Sequence, residues 1–409
     1  MIREWLVSAY LYLFKILFVL AKLFPQKEKV SFVVSFSENT KYLAHEFEKE
    51  QLKTELVFLC RGKCIADFSG GKGTVIPFET SGFLDMARSA YHLATSKTVF
   101  VDNYFGFLSV VKFRKEVQCI QIWHAAGALK TFGLEDKSIS MRTRGANRRF
   151  AQVYQRFDKV IVGSDIMAEI FKRSFGITDD RILRTGIPRT DFFYHLKAED
   201  PVFHDMTAMS QSGSDEQYGL ASEVQTFIDG PFASKRKILY APTYRDNERN
   251  TNQLHLDIDQ MKNELGAEYV LLLRLHPAVR DGFVIPDQDQ GFAFDCSSYS
   301  DINQLLLISD ILVTDYSSIP VEYSLLNKPM IFFPYDLKEY GRERGFQADY
   351  MDWVPGPVAF STTDLIKLIR HNSFDMKQVA AFSSQWNRYS KGFSSRNVVQ
   401  YVIKSCGLR

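Results

Sequence analysis

The chain has 409 residues, of which 45% are hydrophobic and 14% aromatic, so it is long enough for two globular domains with large cores. Lysine and arginine number 50 against 48 aspartate and glutamate residues, a formal net charge of +2, which argues against a nucleic-acid-binding protein held by bulk positive charge. The five cysteines are odd in number and lie mostly in apolar runs, which favours reduced thiols in a cytoplasmic protein.

The N-terminal stretch from Ile2 to Phe24 is almost entirely apolar and rich in aromatic residues. Four charged residues interrupt it, namely Arg3, Glu4, Lys15 and Lys22. No run of about 18 uncharged residues is left for a membrane span. The polar side chains fall near one face of a helix, which predicts an amphipathic helix over residues 1–26 that lies in the plane of a membrane. The alternative is a helix packed against the first domain.

The first half of the chain alternates predicted strands and predicted helices. The predicted strands are 30–35, 55–60, 98–102, 117–123 and 159–163. The predicted helices are 40–50, 83–93, 147–155 and 165–175. Alternation of this kind predicts a doubly wound parallel sheet, which we place in an N-terminal domain over residues 27–200.

A polar stretch rich in serine and glycine interrupts this pattern, and we predict a flexible insertion over 201–234. The alternation then restarts in a predicted domain over 235–390, and a last helix at 391–409 is expected to pack back on the N-terminal domain. Predicted strands here are 237–241, 269–275, 311–314 and 330–334, and predicted helices are 252–265, 302–308 and 319–326. Two Rossmann-type domains of this kind are expected to face a central cleft.

The segment Asp310 to Tyr335 follows the order strand, turn, helix, strand, and its turn contains the adjacent serines Ser317 and Ser318. A helix that begins at the carboxyl end of a parallel strand directs free backbone N–H groups and the positive end of its dipole toward a ligand. The pattern therefore predicts an anion at this turn. The alternative is that the two serines only cap the helix.

Two histidines come at the ends of predicted strands in the two halves of the chain. His124 follows the strand 117–123, and His276 precedes Pro277 at the end of another strand. A neutral imidazole at such a place can take a proton from a hydroxyl nucleophile. Together with the serine turn, the pair suggests transfer chemistry on a diphosphate. No carboxylate cluster with metal spacing accompanies them, so we expect neither a metal nor another cofactor.

Two more polar residues, Thr243 and Arg245, follow the first strand of the second domain. Their place at a strand end is suited to contact with a nucleotide or a phosphate. The alternative for Arg245 is an ion pair between the domains. Arg189, in the turn that closes the first domain, is either functional or only a surface charge.

Five motifs occur in order along the chain. They are Trp123-His124 with Gly127 and Lys130, Gly186 to Asp191, Tyr240 to Asp246, Leu275 to Pro277, and Thr314 to Ser318 with Pro329. Together they resemble the CDP-glycerol glycerophosphotransferase family of wall teichoic acid synthesis. The resemblance covers about residues 30 to 400. It implies a GT-B-like fold, CDP-glycerol as donor, CMP as product, and a peripheral, monotopic enzyme on the cytoplasmic face of the cell membrane.

Within this family, the chain resembles the enzymes that add a single unit. It is short, it begins with an apolar helix, and residues 125–129 read Ala-Ala-Gly-Ala-Leu where the polymerases tend to have Gly-Thr-Pro-Leu. The resemblance implies transfer of one sn-glycerol 3-phosphate to N-acetylmannosaminyl-N-acetylglucosaminyl diphospho-undecaprenol. The alternatives are a poly(glycerol-phosphate) polymerase, a GT-B sugar-nucleotide glycosyltransferase, and a non-enzymatic scaffold that binds the lipid diphosphate.

The resemblance also implies roles for individual residues. His124 and His276 are expected to be catalytic, with His124 as the base. The residues expected to bind CDP-glycerol are Thr243, Arg245, Asp315, Ser317, Ser318 and Glu322. Those expected on the acceptor side are Trp123, Gly127, Lys130 and Arg189. Expected partners are CDP-glycerol, the undecaprenyl-diphosphate-linked disaccharide, the inner leaflet of the membrane, and other teichoic acid enzymes or a second copy of the chain.

Overall fold

The computed structural model describes residues 2–195, 222–245, 254–275, 283–299 and 301–408. The chain divides into two compact units. The first consists of Met1–Ala126, Thr131–Asp191 and Arg388–Arg409, and the second of Gly127–Lys130 and Phe192–Asn387. Residues 201–221 of the predicted insertion and the predicted catalytic residue His276 lie outside the described residues.

The first unit contains a parallel sheet of seven described strands in the order β3-β2-β1-β4-β5-β6-β7. The strands are β1 Lys29–Val34, β2 Glu55–Cys60, β3 Thr74–Pro77, β4 Thr98–Val101, β5 Gln118–Gln121, β6 Lys159–Ile161 and β7 Ile182–Leu183. All residues of the central strands β1 and β4 are buried. Strands covered on both faces are expected to be continuous apolar runs, as these mostly are.

Helices connect the strands of this sheet. The α-helices are Ile2–Ala21, Ser37–Lys49, Cys64–Phe68, Phe83–Thr95, Arg144–Tyr154, Asp165–Phe175 and Ser394–Cys406. Short 3-10 helices cover Gly106–Ser109, Gly133–Glu135, Lys137–Met141, Asp179–Arg181 and Pro188–Asp191. Local sequence sets the ends of the helix Asp165–Phe175, because the Ser164 hydroxyl accepts a hydrogen bond from the Met167 N–H at its start and Gly176 adopts φ 63° at its end.

The second unit contains a parallel sheet of five described strands in the order β10-β9-β8-β11-β12. The strands are β8 Arg236–Ala241, β9 Tyr269–Leu273, β10 Ala293–Asp295, β11 Ile311–Thr314 and β12 Met330–Phe332. Its α-helices are Phe192–His195, Ser222–Asp229, Ile258–Leu265, Ile302–Ile308, Ile319–Tyr323, Leu337–Arg344, Tyr350–Trp353, Thr362–His371 and Met376–Trp386, with 3-10 helices at Asp287–Asp289 and Ser324–Leu326. Ile238, Leu271 and Val313 are among the residues of its apolar core.

The prediction of two parallel α/β sheets is confirmed, and several predicted elements match in both bounds. The structure differs at the edges, where the short strands β3, β7 and β10 were not predicted. The helix predicted over 319–326 is also shorter: its α-helical part ends at Tyr323, and a 3-10 turn over Ser324–Leu326 follows. A last turn that tightens into 3-10 geometry is common at helix ends, and here Asn327 ends it at φ 50°.

The N-terminal helix Ile2–Ala21 has one buried face and one exposed apolar face. Phe14 and Phe18 are fully buried, and the Phe14 ring lies 5.3 Å from that of Phe107, centroid to centroid. On the other face Trp5 and Tyr12 are 76% and 66% exposed. Among the described residues, this is the one helix long and apolar enough, by length and composition, to cross a membrane. One face of the helix therefore packs on the first unit, as in the alternative prediction. The other face leaves a wide apolar surface exposed.

Candidate functional site

His124 follows strand β5 in the first unit, two residues beyond Ile122. Its Nδ1 lies 3.3 Å from the backbone carbonyl oxygen of Asp102. A carbonyl oxygen only accepts hydrogen bonds, so we assign the proton to Nδ1. Nε2 then holds the lone pair that a general base needs.

Two aromatic rings fix the plane of the His124 imidazole. The Phe36 ring stacks on it with centroids 4.4 Å apart and planes 20° apart, and the Trp123 ring lies at the same distance. The Trp123 ring also packs against Phe132 and Phe171, at 4.8 and 5.3 Å. The predicted acceptor-side residue Trp123 is thus part of the aromatic packing that orients the histidine.

Asp102, which the sequence analysis did not single out, directly follows strand β4 and supports this arrangement. Its buried carboxylate accepts hydrogen bonds from the backbone N–H groups of Ser35 and Phe36, both at 2.7 Å, and from the Ser35 hydroxyl at 3.0 Å. Burial raises the pKa of Asp102 to about 7, although these hydrogen bonds oppose the rise. The carboxylate fixes the turn that holds the Phe36 ring against His124.

The motif Gly186 to Asp191 mainly connects distant parts of the first unit through packing and hydrogen bonds. Gly186 has φ 86°, and a Cβ there would lie 2.6 Å from the Tyr389 carbonyl oxygen. The Asp191 carboxylate accepts hydrogen bonds from the Ser394 and Ser395 N–H groups at 2.9 and 2.8 Å, and so caps the helix Ser394–Cys406. The motif thereby ties the C-terminal helix to this unit.

Arg189 in the same motif is buried rather than a surface charge. Its guanidinium Nη1 lies 3.4 Å from the backbone carbonyl oxygen of His124. The structure therefore brings together two of the predicted acceptor-side residues, Arg189 and Trp123, with the predicted base.

In the second unit, Arg245 lies between two carboxylates. Its Nε and Nη2 donate to Asp336 at 3.0 and 2.8 Å, and its Nη1 donates to Asp315 at 2.6 Å. Nη1 also donates to the backbone carbonyl of Thr243. The guanidinium lies over the rings of Tyr316, Tyr335 and Tyr340, with centroid distances of 5.1, 4.6 and 5.3 Å. An ion pair between domains was the alternative expected for Arg245, and the pair instead lies within the second unit.

These contacts occupy most of the donor capacity of Arg245, because four of its five N–H groups donate to the partners just named. Burial lowers the pKa of Arg245, but Asp336 and Asp315 raise it above the usual value overall. The Asp315 carboxylate in turn accepts hydrogen bonds from the Thr243 and Tyr316 N–H groups, at 2.8 and 2.5 Å. Arg245 and Asp315 thus fix the shape of the strand ends.

The two adjacent serines behave differently at the start of the helix Ile319–Tyr323. The Ser317 hydroxyl accepts a long hydrogen bond from the Ile319 N–H, at 3.3 Å, and lies 3.1 Å from the Thr314 hydroxyl. The Ser318 side chain makes no capping bond, and in the described part of the chain its hydroxyl has no hydrogen-bond partner. The capping alternative therefore applies to Ser317 and not to Ser318.

The segment Gly127–Lys130 belongs to the second unit, although it follows His124 directly. A Cβ at Gly127 would lie 2.7 Å from Val321 Cγ2, so only glycine fits against the helix that follows the serines. The Leu129 carbonyl accepts a hydrogen bond from the Gln347 N–H at 2.7 Å. This segment is therefore packed against the serine turn.

Lys130, predicted for the acceptor side, lies among the predicted donor-side residues. Its amine lies 6.0 Å from the centroid of the Tyr340 ring and makes no hydrogen bond or ion pair with any residue in the described ranges. Burial lowers the pKa of Lys130 to about 8; Arg344 and Arg245 act in the same direction, and Asp315 opposes them. Lys130 is thus an uncommitted cation beside the serine turn.

Two further predicted donor-side residues lie in the same unit. The Thr243 Oγ1 is buried and has no hydrogen-bond partner among the described residues. Glu322 is buried on the helix Ile319–Tyr323. Thr243, Asp315 and the two serines all follow β8 or β11, neighbouring strands of one parallel sheet, which explains why the structure brings them together.

Comparisons with known proteins agree over nearly the whole chain. The family model described as CDP-Glycerol:Poly(glycerophosphate) glycerophosphotransferase matches residues 16–404. The teichoic acid glycerol-phosphate primase of Bacillus subtilis (strain 168) is 35% identical over 405 residues, with 98% of each chain covered. The primase of the same name from Bacillus spizizenii (strain ATCC 23059 / NRRL B-14472 / W23) is 32% identical over 401 residues, again with 98% of each chain covered.

Among solved structures, that of the wall teichoic acid polymerase TagF is similar with a TM-score of 0.75. The two chains are 26% identical, and the match covers 93% of this chain and 90% of that one. The likeness extends over both parallel sheets and confirms the predicted GT-B-like fold class.

Proposed function

The chain belongs to the CDP-glycerol:poly(glycerophosphate) glycerophosphotransferase family, and from this premise we propose that it is a primase of wall teichoic acid. It transfers one sn-glycerol 3-phosphate from CDP-glycerol to N-acetylmannosaminyl-N-acetylglucosaminyl diphospho-undecaprenol and releases CMP. The observation that carries this proposal is the similarity to two glycerol-phosphate primases over 98% of each chain.

In the proposed mechanism, His124 is the general base. Its Nε2 takes the proton from an acceptor hydroxyl, whose oxygen attacks the phosphorus that bears the glycerol. A new oxygen–phosphorus bond forms, and the bond from that phosphorus to the bridging oxygen breaks. CMP leaves with the bridging oxygen and the electron pair of the broken bond. The Nδ1 hydrogen bond to the Asp102 carbonyl supports this role, because it keeps the lone pair on Nε2.

On the donor side, Ser318, Ser317 and Lys130 hold the diphosphate of CDP-glycerol. The Ser318 hydroxyl and the Lys130 amine support this, because no described residue occupies either of them. The helix that follows the serines has only five residues, so hydroxyl and ammonium groups contribute more than a helix dipole. Thr243 offers its buried hydroxyl, while Arg245 and Asp315 act as the frame of the site. For Glu322 we propose contact with the ribose or cytidine, and for His276 stabilisation of the leaving group.

The exposed apolar surface of the first unit supports attachment to the inner leaflet of the cell membrane. Besides Trp5 and Tyr12 on the N-terminal helix, Phe83 and Leu84 on the adjoining helix Phe83–Thr95 are 55% and 71% exposed. Aromatic and aliphatic side chains of this kind suit the boundary between lipid headgroups and acyl chains. Attachment there would bring the enzyme to the level of its lipid-linked acceptor.

A second candidate is a polymerase of the same family, which the similarity to TagF favours. One assay separates the two candidates: the purified protein is incubated with CDP-glycerol and the lipid-linked disaccharide, and both the product mass and CMP release are measured. We expect a single added glycerol phosphate with no further growth. A ladder of additions would instead identify a polymerase, and an absence of CMP with the correct acceptor would favour a glycosyltransferase.

A further inference from the structure

The backbone just before His124 has an unusual conformation. Trp123 adopts φ 53°, in the left-handed region that residues with a side chain rarely occupy. Such a conformation persists only where the surrounding structure holds it, and it is frequent at active sites. Trp123 donates its N–H to the Gln121 side-chain oxygen at 2.8 Å, which fixes one side of the turn. Its carbonyl needs a second partner.

Asn39 supplies that partner from the helix Ser37–Lys49. The amide of Asn39 is 1% exposed, and its Nδ2 donates to the carbonyl oxygens of Ile122 and Trp123 at 3.1 and 3.0 Å. Its Oδ1 accepts from the Arg189 N–H at 3.0 Å. Both Nδ2 hydrogens and the oxygen are therefore used, which fixes the orientation of the amide.

Only a group with two donors and an acceptor in this shape satisfies all three partners. An aspartate has the same size but cannot donate when ionised, so it would face two carbonyl oxygens without hydrogen bonds. A buried carbonyl that loses its partner is costly, and the turn at Trp123 would be free to relax. Any relaxation of Trp123 moves His124, the next residue.

We infer that Asn39 is a positioning residue for His124: it holds the strained turn that aims the imidazole, and through Arg189 it joins that turn to the motif Gly186 to Asp191. Asn39 touches neither substrate in this scheme. The inference rests on the proposed role of His124 as base.

The test is the substitution Asn39→Asp, with steady-state kinetics for CDP-glycerol and the lipid-linked acceptor. We expect kcat to fall by about 100-fold, since a displacement of about 1 Å in a catalytic group has an effect of that size. The dissociation constant for CDP-glycerol, measured calorimetrically without acceptor, should change less than about twofold, which corresponds to under about 0.4 kcal/mol. A purely structural role would instead lower the melting temperature and leave kcat per folded molecule unchanged.

Asn147→Asp is the matched control, because the Asn147 side chain also donates to a backbone carbonyl in the first unit, that of Ile139 at 3.0 Å. It should keep kcat within about twofold of the unsubstituted protein. If Asn39→Asp does not fold, Asn39→Ser, which keeps one donor, takes its place with a smaller expected loss. A folded Asn39 variant with an unchanged kcat would overturn the inference.

A second measurement does not depend on the proposed reaction. Histidine-selective NMR of the free protein reports the environment of His124, whose resonance is identified by its absence in His124→Ala. We expect Asn39→Asp to shift this resonance and Asn147→Asp to leave it in place. If the unsubstituted protein released no CMP, the proposed function would fail, while a shifted His124 resonance would still support the positioning role. An unshifted resonance would overturn it.

Discussion

The surroundings of His124 and those of Ser318 are stabilised by opposite kinds of interaction. Around His124 the contacts are mainly between uncharged groups: a backbone carbonyl, a side-chain amide and stacked aromatic rings. Around Ser318 the frame is a buried ion pair, in which Arg245 is neutralised by Asp315 and Asp336. The uncharged surroundings suit a base that must keep a lone pair, whereas the neutralised ion pair leaves the positive charge that a diphosphate needs to another residue.

The comparison also shows which cation is available for a diphosphate. Arg245 is the more conspicuous charge in the sequence, but its N–H groups are largely committed to carboxylates within its own unit. Lys130 has no such partner in the described residues. A buried guanidinium with two carboxylates stabilises a frame, whereas an unpaired amine attracts an anion. The four predictions that follow test this division of roles.

The largest effect is expected at the base. We predict that His124→Ala lowers kcat by about 10²- to 10⁴-fold, the usual contribution of a general base, while CDP-glycerol binds as before. CMP release with the lipid-linked acceptor measures the first quantity, and calorimetry without acceptor measures the second. Loss of donor binding in a folded variant would show that His124 belongs to the donor side, contrary to the assignment.

Breaking the ion pair should mainly affect stability. We predict that Arg245→Met lowers the free energy of unfolding by about 3–5 kcal/mol, because it leaves the buried carboxylate of Asp315 and the partly buried one of Asp336 without their partner. Urea unfolding followed by tryptophan fluorescence measures it. Arg184→Met is the control, since Arg184 pairs with Asp165 and Asp179 near the surface, where such pairs contribute about 0–1 kcal/mol. Equal losses of unfolding free energy in the two variants would show that the Arg245 ion pairs stabilise the protein no more than a surface pair does.

The uncommitted cation should affect donor affinity. We predict that Lys130→Gln weakens CDP-glycerol binding by about tenfold, the loss expected for one hydrogen bond to a charged group, and that Lys130→Arg retains most of the affinity. The amine is charged below its pKa of about 8, so the affinity of the unsubstituted protein should fall as the pH rises through 8. In Lys130→Gln this fall should disappear, and its persistence would assign the titration to another group.

The last prediction concerns the way in which stability depends on pH. The pKa of Asp102 is raised to about 7 in the folded protein, against about 3.9 in an unfolded chain. Its contribution to stability is therefore full below pH 4 and is lost as the pH rises from about 4 to 7. We predict that Asp102→Asn flattens the stability curve in this window, as measured by urea unfolding at several pH values. A constant difference between the two proteins from pH 4 to 8 would contradict the assignment.

Asp165→Asn serves as the control for this pH experiment. The pKa of Asp165 is lowered, through hydrogen bonds from Tyr389 and Arg184, so its contribution is present above the unfolded pKa and is lost at lower pH. The curve of this variant should differ in slope only below about pH 4, where an unfolded aspartate begins to titrate.

Strong apolar runs made much of the fold predictable from the sequence. The strand Ile311–Thr314 and the helix Asp165–Phe175 have the predicted bounds. A buried strand is a continuous apolar run, and capping residues mark the two ends of a helix in the sequence. The edge strands β7 and β10 have only two and three residues. Runs so short show no detectable periodicity of apolar residues. Whether they form strands depends on pairing with the neighbouring strand.

Site residues could be proposed where a local sequence pattern marks them. They could not be proposed where their role depends on contacts between residues far apart in the sequence. His124 and Ser318 could be proposed because each lies in the short segment that follows a strand. Asn39 and Asp102 could not, because Asn39 bonds to carbonyls 83 and 84 positions away and the Asp102 carboxylate to groups 66 and 67 positions away. The ion pairs of Arg245 could not be predicted for the same reason, since its carboxylate partners are 70 and 91 positions further on.

The chain leaves the first unit at Gly127 and returns to it at Thr131. It leaves the first unit again at Phe192 and returns for the last time at Arg388. A gene fragment that encodes only 192–387 would lack the bridge between Lys130 and Phe346, and a fragment that ends at 191 would lack the helix that Asp191 caps. Recombination at a single point between two relatives would therefore join mismatched pieces. A working chimera would have to take 127–130 from the parent of the second unit and 388–409 from the parent of the first.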